Sequence, residues 1–374
     1  MRFRFAVAAL LLGASHAAAQ QLPPPRPPLP RDADTRDWEA YFDYGVKVFT
    51  RAPGDARAAF YWATRLAPER AEPLMGSWAA YWYQWDQRFE EYLGGTVRPS
   101  EAAEVARVDS LRYRARARNP FVSEDLILLA IDHLPGRWSS DPVTRAMLAS
   151  ARGEHPRALV LLNGVVQRDP RRSELHRYRA LVFTAMGRLD SAAVATEALL
   201  AGRRREDDRR MVRVYESKAM EEYGLGMLYL ALHRDAAARE ALGRAITEDL
   251  SFAPAHAMMG IAASAARDTA TAFAEFRQAV ELAPGDGVLR LQFGEALMNG
   301  QRTAEAVEQM RRAVRLEPDY AGAYLGLART LDVSGDTPGA AEAYRAYLER
   351  APLRLAESRA QVARRLAQIA PPPE

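Results

Sequence analysis

The chain has 374 residues, 48% of them hydrophobic, and is long enough to bury a core without disulfides. It has no cysteine, which excludes thiolate catalysis, zinc fingers and iron–sulfur ligation. The formal net charge is +3 with acidic and basic residues interspersed, so a nucleic acid, which would call for a clustered basic face, is not expected as a partner.

Residues 1–19 have the layout of a secretory signal peptide. Arg2 and Arg4 give a basic start, an unbroken apolar run follows, and Ala17 and Ala19 are the small residues that a signal peptidase reads. The apolar run is shorter than the roughly 20 residues that a membrane-spanning helix needs. We therefore expect export to the periplasm or out of the cell, with no transmembrane segment in the mature chain.

Residues 20–36 are rich in proline, and an extended polyproline-type linker is expected there. The stretch from Arg26 to Pro30 is superficially similar to the Pro-rich ligands of aromatic grooves. A plain spacer is the simpler interpretation of this stretch.

Residues 37–92 are expected to form two divergent helical hairpins, the second of them rich in aromatic residues. Its rings recur every three or four residues and therefore lie on one helix face; they are Trp78, Trp82, Trp85 and Phe89, with Tyr81 and Tyr92 beside them. Such a face is typical of interhelical core, and a stacking platform for a glycan or a peptide is the alternative. Tyr83 lies off this face and is the candidate for exposure.

Residues 93–138 are expected to be an irregular helical insertion that follows no repeat. Four arginines end a predicted helix in this insertion, where the helix dipole stabilises cations; they are Arg112, Arg114, Arg116 and Arg118. Residues 139–204 then contain two hairpins, because Ala146 and Gly153 are matched, at one common spacing, by Ala180 and Gly187. Residues 205–218 are expected to be a charged helical extension whose opposite charges largely cancel.

Residues 219–354 contain four units in strict 34-residue register. Four columns of equivalent positions carry the period: Gly226, Gly260, Gly294, Ala328; Ala238, Ala272, Ala306, Ala340; Leu242, Phe276, Met310, Tyr344; and Ala245, Ala279, Ala313, Tyr347. Small residues mark the places where two helices cross, and a closing proline stops the second helix. Each hairpin has an apolar face that it cannot bury alone, so neighbouring units must stack. Residues 355–374 are expected to be a capping helix and a Pro-rich tail.

This pattern resembles the tetratricopeptide repeat, in which a large residue, Leu-Gly, Tyr, Ala, Phe, Ala and Pro recur with this same period. The first C-terminal unit matches with Leu225-Gly226, Tyr229, Ala238 and Ala245. Glu222, His256 and Arg290 depart from it, because the family often has Trp at that position. The resemblance implies an all-α fold, a right-handed superhelical α-α solenoid whose first helices line a concave groove that binds peptides or helices.

Three positions per first helix are carried over from the family as groove residues. The partner-binding candidates are Tyr223, Met227, Leu230, Ile261, Leu291, Glu295, Met298, Leu325 and Arg329, and Ala257, Ser264 and Asp332 complete the columns. The Lys/Asn/Arg arrangement that clamps a C-terminal carboxylate in some family members is absent. A largely apolar, Met-containing groove suits an amphipathic helix or apolar peptide, and another segment of this chain could fill it equally well.

No arrangement of residues in the sequence suggests catalysis. His-x-x-x-His spacing, phosphate-binding Gly-rich loops and Gly-x-Ser-x-Gly are all missing, so no metal, cofactor or enzyme activity is expected. The expected function is a non-catalytic scaffold that binds proteins of the cell envelope. The alternative is an accessory module of a polysaccharide or secretion system that contacts glycan through the aromatic N-terminal half.

Overall fold

The computed structural model describes residues 23–84, 102–131, 141–209 and 217–370. The predicted signal peptide, the aromatic residues Trp85, Phe89 and Tyr92, and the Pro-rich tail lie outside these residues. Every regular element in the described ranges is a helix, and the helices pack in consecutive pairs. The structure thereby confirms the predicted all-α solenoid.

The helices fall into three blocks along the chain. The N-terminal half contains α1 (Trp38–Val48), α2 (Pro53–Leu66), α3 (Glu72–Gln84), α4 (Ala102–Arg118) and α5 (Asp125–Ile131). The middle pair of hairpins contains α6 (Pro142–Ala151), α7 (His155–Arg168), α8 (Glu174–Ala185) and α9 (Leu189–Arg209). The C-terminal array contains α10 (Ala219–Ala231), α11 (Asp235–Glu248), α12 (Ala253–Ala265), α13 (Thr269–Leu282), α14 (Gly287–Asn299), α15 (Thr303–Leu316), α16 (Ala321–Ser334) and α17 (Thr337–Arg350). After a 3₁₀ turn (Leu353–Leu355), α18 (Ala356–Ile369) covers the end of the array.

The small residues of the first helices allow each hairpin of the array to close. A Cβ atom added at Gly260 would lie 2.7 Å from the ring of Phe276, and one added at Gly226 would lie 2.7 Å from Leu242. The second helix therefore packs its large side chain against bare backbone of the first helix. A methyl group at these glycines would force the two helices apart.

The turn inside each unit of the array places one residue in the left-handed region. His233, Arg267, Gln301 and Gly335 have φ between 56° and 82°, and each lies one repeat after the one before it. Only the last of them is glycine, so three units accept a conformation that costs a side chain roughly 1–2 kcal/mol. Gly187 has the same role in the middle pair, and it is separated from His233 by one repeat and the charged extension between the two blocks.

Residues that can form hydrogen bonds stand at the position where the family often has tryptophan, and their side chains make polar contacts. The side chains of His256, Arg290 and Tyr324 each bond the backbone carbonyl six residues earlier, at Leu250, Pro284 and Pro318 respectively. Glu222, the equivalent residue of the first unit, is buried between Arg204 and Arg244. Each side chain thus ties a first helix to the segment preceding it, or to a neighbouring helix, through a polar contact.

Candidate partner-binding surface

The three groove columns differ in their accessibility. In the first column Tyr223, Ala257 and Leu291 are buried, and only Leu325 is half-buried. In the second column, which we call the open column, Met227 and Ile261 are half-buried while Glu295 and Arg329 are exposed. The third column is half-buried throughout; it comprises Leu230, Ser264, Met298 and Asp332. A partner therefore has access mainly to the open column.

Tyr223 is covered by the chain's own N-terminal half. Its hydroxyl donates a 2.7 Å hydrogen bond to the carbonyl of Ala117, near the end of α4. Pro120 and Phe121, which follow α4, lie close to the neighbouring Gly224. Burial raises the pKa of Tyr223 far above its ordinary value. Leu291 is buried in another way, because it packs on Gly326 of the last unit and belongs to the core between units.

The N-terminal half packs against the C-terminal array through a second set of residues that recurs every 34 residues. The sequence analysis did not identify this set. Phe252, Asp286 and Tyr320 each lie directly before a first helix, and Arg354 lies one repeat beyond Tyr320. We call these four residues the cap column. Their contacts are with Tyr113, Arg118, Glu69 and Asp37 respectively.

The order of these contacts shows how the halves lie against each other. Residues later in the cap column contact residues that lie earlier in the N-terminal half. The one exception is the step from Tyr113 to Arg118, which both lie in α4. The N-terminal half therefore runs antiparallel to the array, along the starts of its first helices. At the far end the amide of Leu353 donates to Asp34 at 2.6 Å, so the segment before α1 meets the segment after α17.

Arg118 makes the best-defined ion pair of this contact. Its Nη2 donates to both carboxylate oxygens of Asp286 at 2.7 Å, and its Nε donates to the carbonyl of Pro68 at 3.2 Å. Asp286 also caps α14 by accepting from the amides of Val288 and Leu289. The predicted explanation for the arginines of α4, stabilisation by the helix dipole, is therefore incomplete for Arg118, because this side chain also joins two blocks of the chain.

Two further polar contacts lie beside Arg118. Arg65 pairs with Asp319 at 2.6 Å, and the carboxylate of Glu69 lies close to the hydroxyl of Tyr320. Burial raises the pKa of Glu69, and burial together with the negative charge of Glu69 raises the pKa of Tyr320. The contact thus alternates ion pairs with aromatic side chains.

The aromatic face of α3 lies in the core as far as the structure describes it. Trp78, Tyr81 and Trp82 are buried, and the guanidinium of Arg112 lies 5.2 Å from the ring of Trp78. Tyr83 is half-buried, with its ring centroid 5.2 Å from that of Phe49. These four side chains therefore offer no open ring face for a glycan.

The proline-rich segment packs on the first hairpin rather than extending freely. The guanidinium of Arg26 lies 4.4 Å from the ring of Trp62, whose Nε1 donates to the carbonyl of Pro24. Arg26 also donates to the hydroxyl of Tyr41 at 3.1 Å. The interpretation as a plain spacer therefore does not describe this segment, because it packs on aromatic side chains of the same chain.

Within the described ranges no helix is long and apolar enough to cross a membrane. No group of three or more His, Asp or Glu side chains in the same ranges is placed to hold a metal ion.

Residues 291–354 match the family model described as tetratricopeptide repeat. Among solved structures, the chain is similar to MamA (18% identity, TM-score 0.40, covering 46% of this chain and 94% of that one). It is also similar to YrrB, described as a TPR protein with an unusual peptide-binding site (19% identity, TM-score 0.40, covering 51% of this chain and 92% of that one). A third similar structure is that of Pseudomonas aeruginosa PilF (18% identity, TM-score 0.43, covering 54% of this chain and 87% of that one). The comparison with curated proteins finds no match. The family model over residues 291–354 and the 34-residue hairpins with their glycine and alanine crossings together show that the chain contains tetratricopeptide repeats.

Proposed function

We propose that this protein is a non-catalytic scaffold that binds a protein partner of the cell envelope through the open column. The observation that carries the proposal is the accessibility of this column, in contrast to the first column, which the chain itself covers. Tetratricopeptide-repeat proteins are in general interaction scaffolds, so a surface on the first helices is the natural candidate. The envelope location rests on the predicted signal peptide.

The chemistry of the open column indicates the kind of partner. Met227 and Ile261 are apolar, whereas Glu295 and Arg329 carry opposite charges. Leu230 and Met298 of the third column add half-buried apolar surface beside them. Such a surface fits an amphipathic helix or an extended peptide with apolar residues at one end and charged residues at the other. Methionine lets the apolar part adapt to different side chains.

A photo-crosslinking experiment tests this proposal. A photoreactive phenylalanine analogue at position 261 should capture a discrete protein in cells, and Met227→Glu should abolish that product. The same analogue at position 194, where an exposed valine lies on α9, is the matched control. The groove proposal fails if positions 261 and 194 capture the same products, or if Met227→Glu leaves the position 261 product unchanged.

The location is tested separately by fractionation. We expect the protein in the periplasmic or extracellular fraction, with its N-terminus beginning at Gln20. Recovery of the protein in the cytoplasm with Arg2 and Arg4 intact would contradict the envelope part of the proposal and leave the groove part untouched.

A further inference from the structure

The proline-rich segment at the start of the described chain has a conformation that its own sequence imposes. Six of the eight residues 23–30 are proline, and none of the eight lies in a helix. A proline ring fixes φ at about −65°, and a residue before proline is held in the extended region, so the segment favours the polyproline II helix. Pro24 and Pro27, three residues apart, are half-buried, whereas the residues directly before and after each of them are exposed. Because a polyproline II helix has three residues per turn, this spacing places one of its edges against the first hairpin.

The first hairpin contacts this edge through a tryptophan. The Nε1 of Trp62, on α2, donates to the carbonyl of Pro24 at 3.0 Å. A polyproline II segment makes no hydrogen bonds of its own, so its carbonyl groups are free to accept from a neighbouring donor. Aromatic side chains that combine an apolar ring with such a donor are the usual means of recognising proline-rich segments.

Arg26 fixes the position of the segment along the hairpin. Its guanidinium lies 4.4 Å from the centroid of the Trp62 ring, which is close enough for a cation–π contact. The same group donates to the hydroxyl of Tyr41 at 3.1 Å and to the carbonyl of Thr35 at 3.2 Å. Tyr41 is buried in α1, so the packing of that helix holds its hydroxyl in place. An alanine at position 26 would keep the extended backbone and lose all of these contacts.

We propose that this face of the first hairpin is a binding site for polyproline II segments that carry an arginine, and that residues 24–26 are its resident ligand. The hydrogen bonds to the helices need only a proline carbonyl and an arginine two residues later. A segment of a partner protein with the same Pro-Pro-Arg order therefore fits the site as the resident segment does. Such a segment is stiff before it binds and loses little conformational entropy, which favours recognition through few contacts.

The resident segment occupies the site mainly because it is tethered beside it. Among the described residues, its hydrogen bonds to the helices involve Trp62 and Tyr41 alone. Residues 31–37 connect it to the start of α1, and a short tether of this kind gives an effective concentration in the millimolar range. A partner segment binds in competition with the resident segment, so weakening the resident contacts exposes the site.

Calorimetric titration of the full chain with a synthetic peptide of residues 23–30 tests the site. Arg26→Ala weakens the resident segment, and we expect this variant to bind one peptide per chain at least about tenfold more tightly than the unmodified chain. Arg31→Ala, at an exposed position just beyond the segment, is the matched control and should bind as the unmodified chain does. A peptide with alanine in place of its arginine should bind none of these chains.

A second substitution connects the binding to the indole. Trp62→Phe keeps an aromatic ring and removes the donor, so in the Arg26→Ala chain it should weaken peptide binding about fivefold. The proposal is overturned if Arg26→Ala binds the peptide no more tightly than Arg31→Ala does. It is also overturned if the alanine peptide binds equally well, or if Trp62→Phe leaves the binding unchanged.

The unmodified chain provides the test if circular dichroism shows that Arg26→Ala does not fold. At roughly millimolar concentrations and above, the peptide should compete with the resident segment for the site, whereas the alanine peptide should not. Equal behaviour of the two peptides in this titration would overturn the proposal.

Discussion

Replacing Arg118 by alanine should weaken the contact between the N-terminal half and the array. The side chains of Arg118 and Asp286 are only 15% and 22% exposed, so solvent screens this pair less than a surface pair. A hydrogen bond to a charged group contributes roughly 1.5–3 kcal/mol, and we expect Arg118→Ala to lower the free energy of unfolding by about 2 kcal/mol. Asp286→Ala should cost about 1 kcal/mol more, because this aspartate also caps α14.

A double-mutant cycle in urea separates these two contributions. Asp286→Ala removes the helix cap both in the unmodified chain and in Arg118→Ala, so the cost of losing the cap cancels in the cycle. We expect a coupling energy of about 1–2 kcal/mol between Arg118 and Asp286. The exposed pair of Arg157 with Glu154 is the matched control and should couple by about 0.5 kcal/mol or less. A coupling of Arg118 with Asp286 no larger than that of the control pair would refute the view that this ion pair holds the two halves together.

Two further predictions concern the array. In urea unfolding, Gly260→Ala should destabilise the chain by about 1–3 kcal/mol, because the added Cβ lies 2.7 Å from Phe276. The control Gly243→Ala should be neutral or stabilising in the same assay, because its Cβ meets nothing closer than 3.9 Å. Hydrogen bonds from Arg365 are the main cause that lowers the pKa of Asp332 below 3.8, so this pair stabilises α18 above that pH and stops doing so as the pH falls through the lowered value. Thermal melts of the unmodified chain and Arg365→Gln should therefore differ at pH 6 and converge as the pH falls below the lowered pKa of Asp332, and equal melts at pH 6 would contradict the assignment.

The C-terminal array could be predicted from sequence because its constraint is local. Where two helices of one hairpin cross, only a small residue fits, so Gly226 and Gly260 stay in register with the large residues that pack on them. The period that results is visible in a single sequence. A different local constraint marks the middle pair, where Gly153 and Gly187 take the left-handed position of the turn.

The contact between the halves could not be predicted in the same way. Phe252, Asp286, Tyr320 and Arg354 share a period but not a chemistry, so no common residue type marks their column. Their partners come from segments far away in the chain, and no local pattern records which distant side chain will meet them. Asp286 caps α14 through a local contact, whereas its second role as the partner of Arg118 depends on the path of the whole chain.

The candidate site shows the same division. Carrying over three columns from the family located residues on the first helices, but it did not separate those that the chain covers from those that it leaves open. Tyr223 occupies a groove position of the repeat, and its hydroxyl is nevertheless hydrogen-bonded to the carbonyl of Ala117 in the same chain. Accessibility depends on long-range packing, which explains why the open column emerged only from the structure.

The N-terminal half closes back onto the array, and an engineered disulfide tests this arrangement most directly. Asp34 and Leu353 are 319 residues apart in sequence, yet a side-chain oxygen of one lies 2.6 Å from the amide nitrogen of the other. Because the chain has no native cysteine, the doubly substituted chain Asp34→Cys/Leu353→Cys contains only the two introduced thiols. Mild oxidation at low protein concentration should form an intrachain disulfide in nearly every molecule, whereas each single variant can form only dimers. If the double variant retains free thiols or yields only dimers, the closed arrangement is wrong.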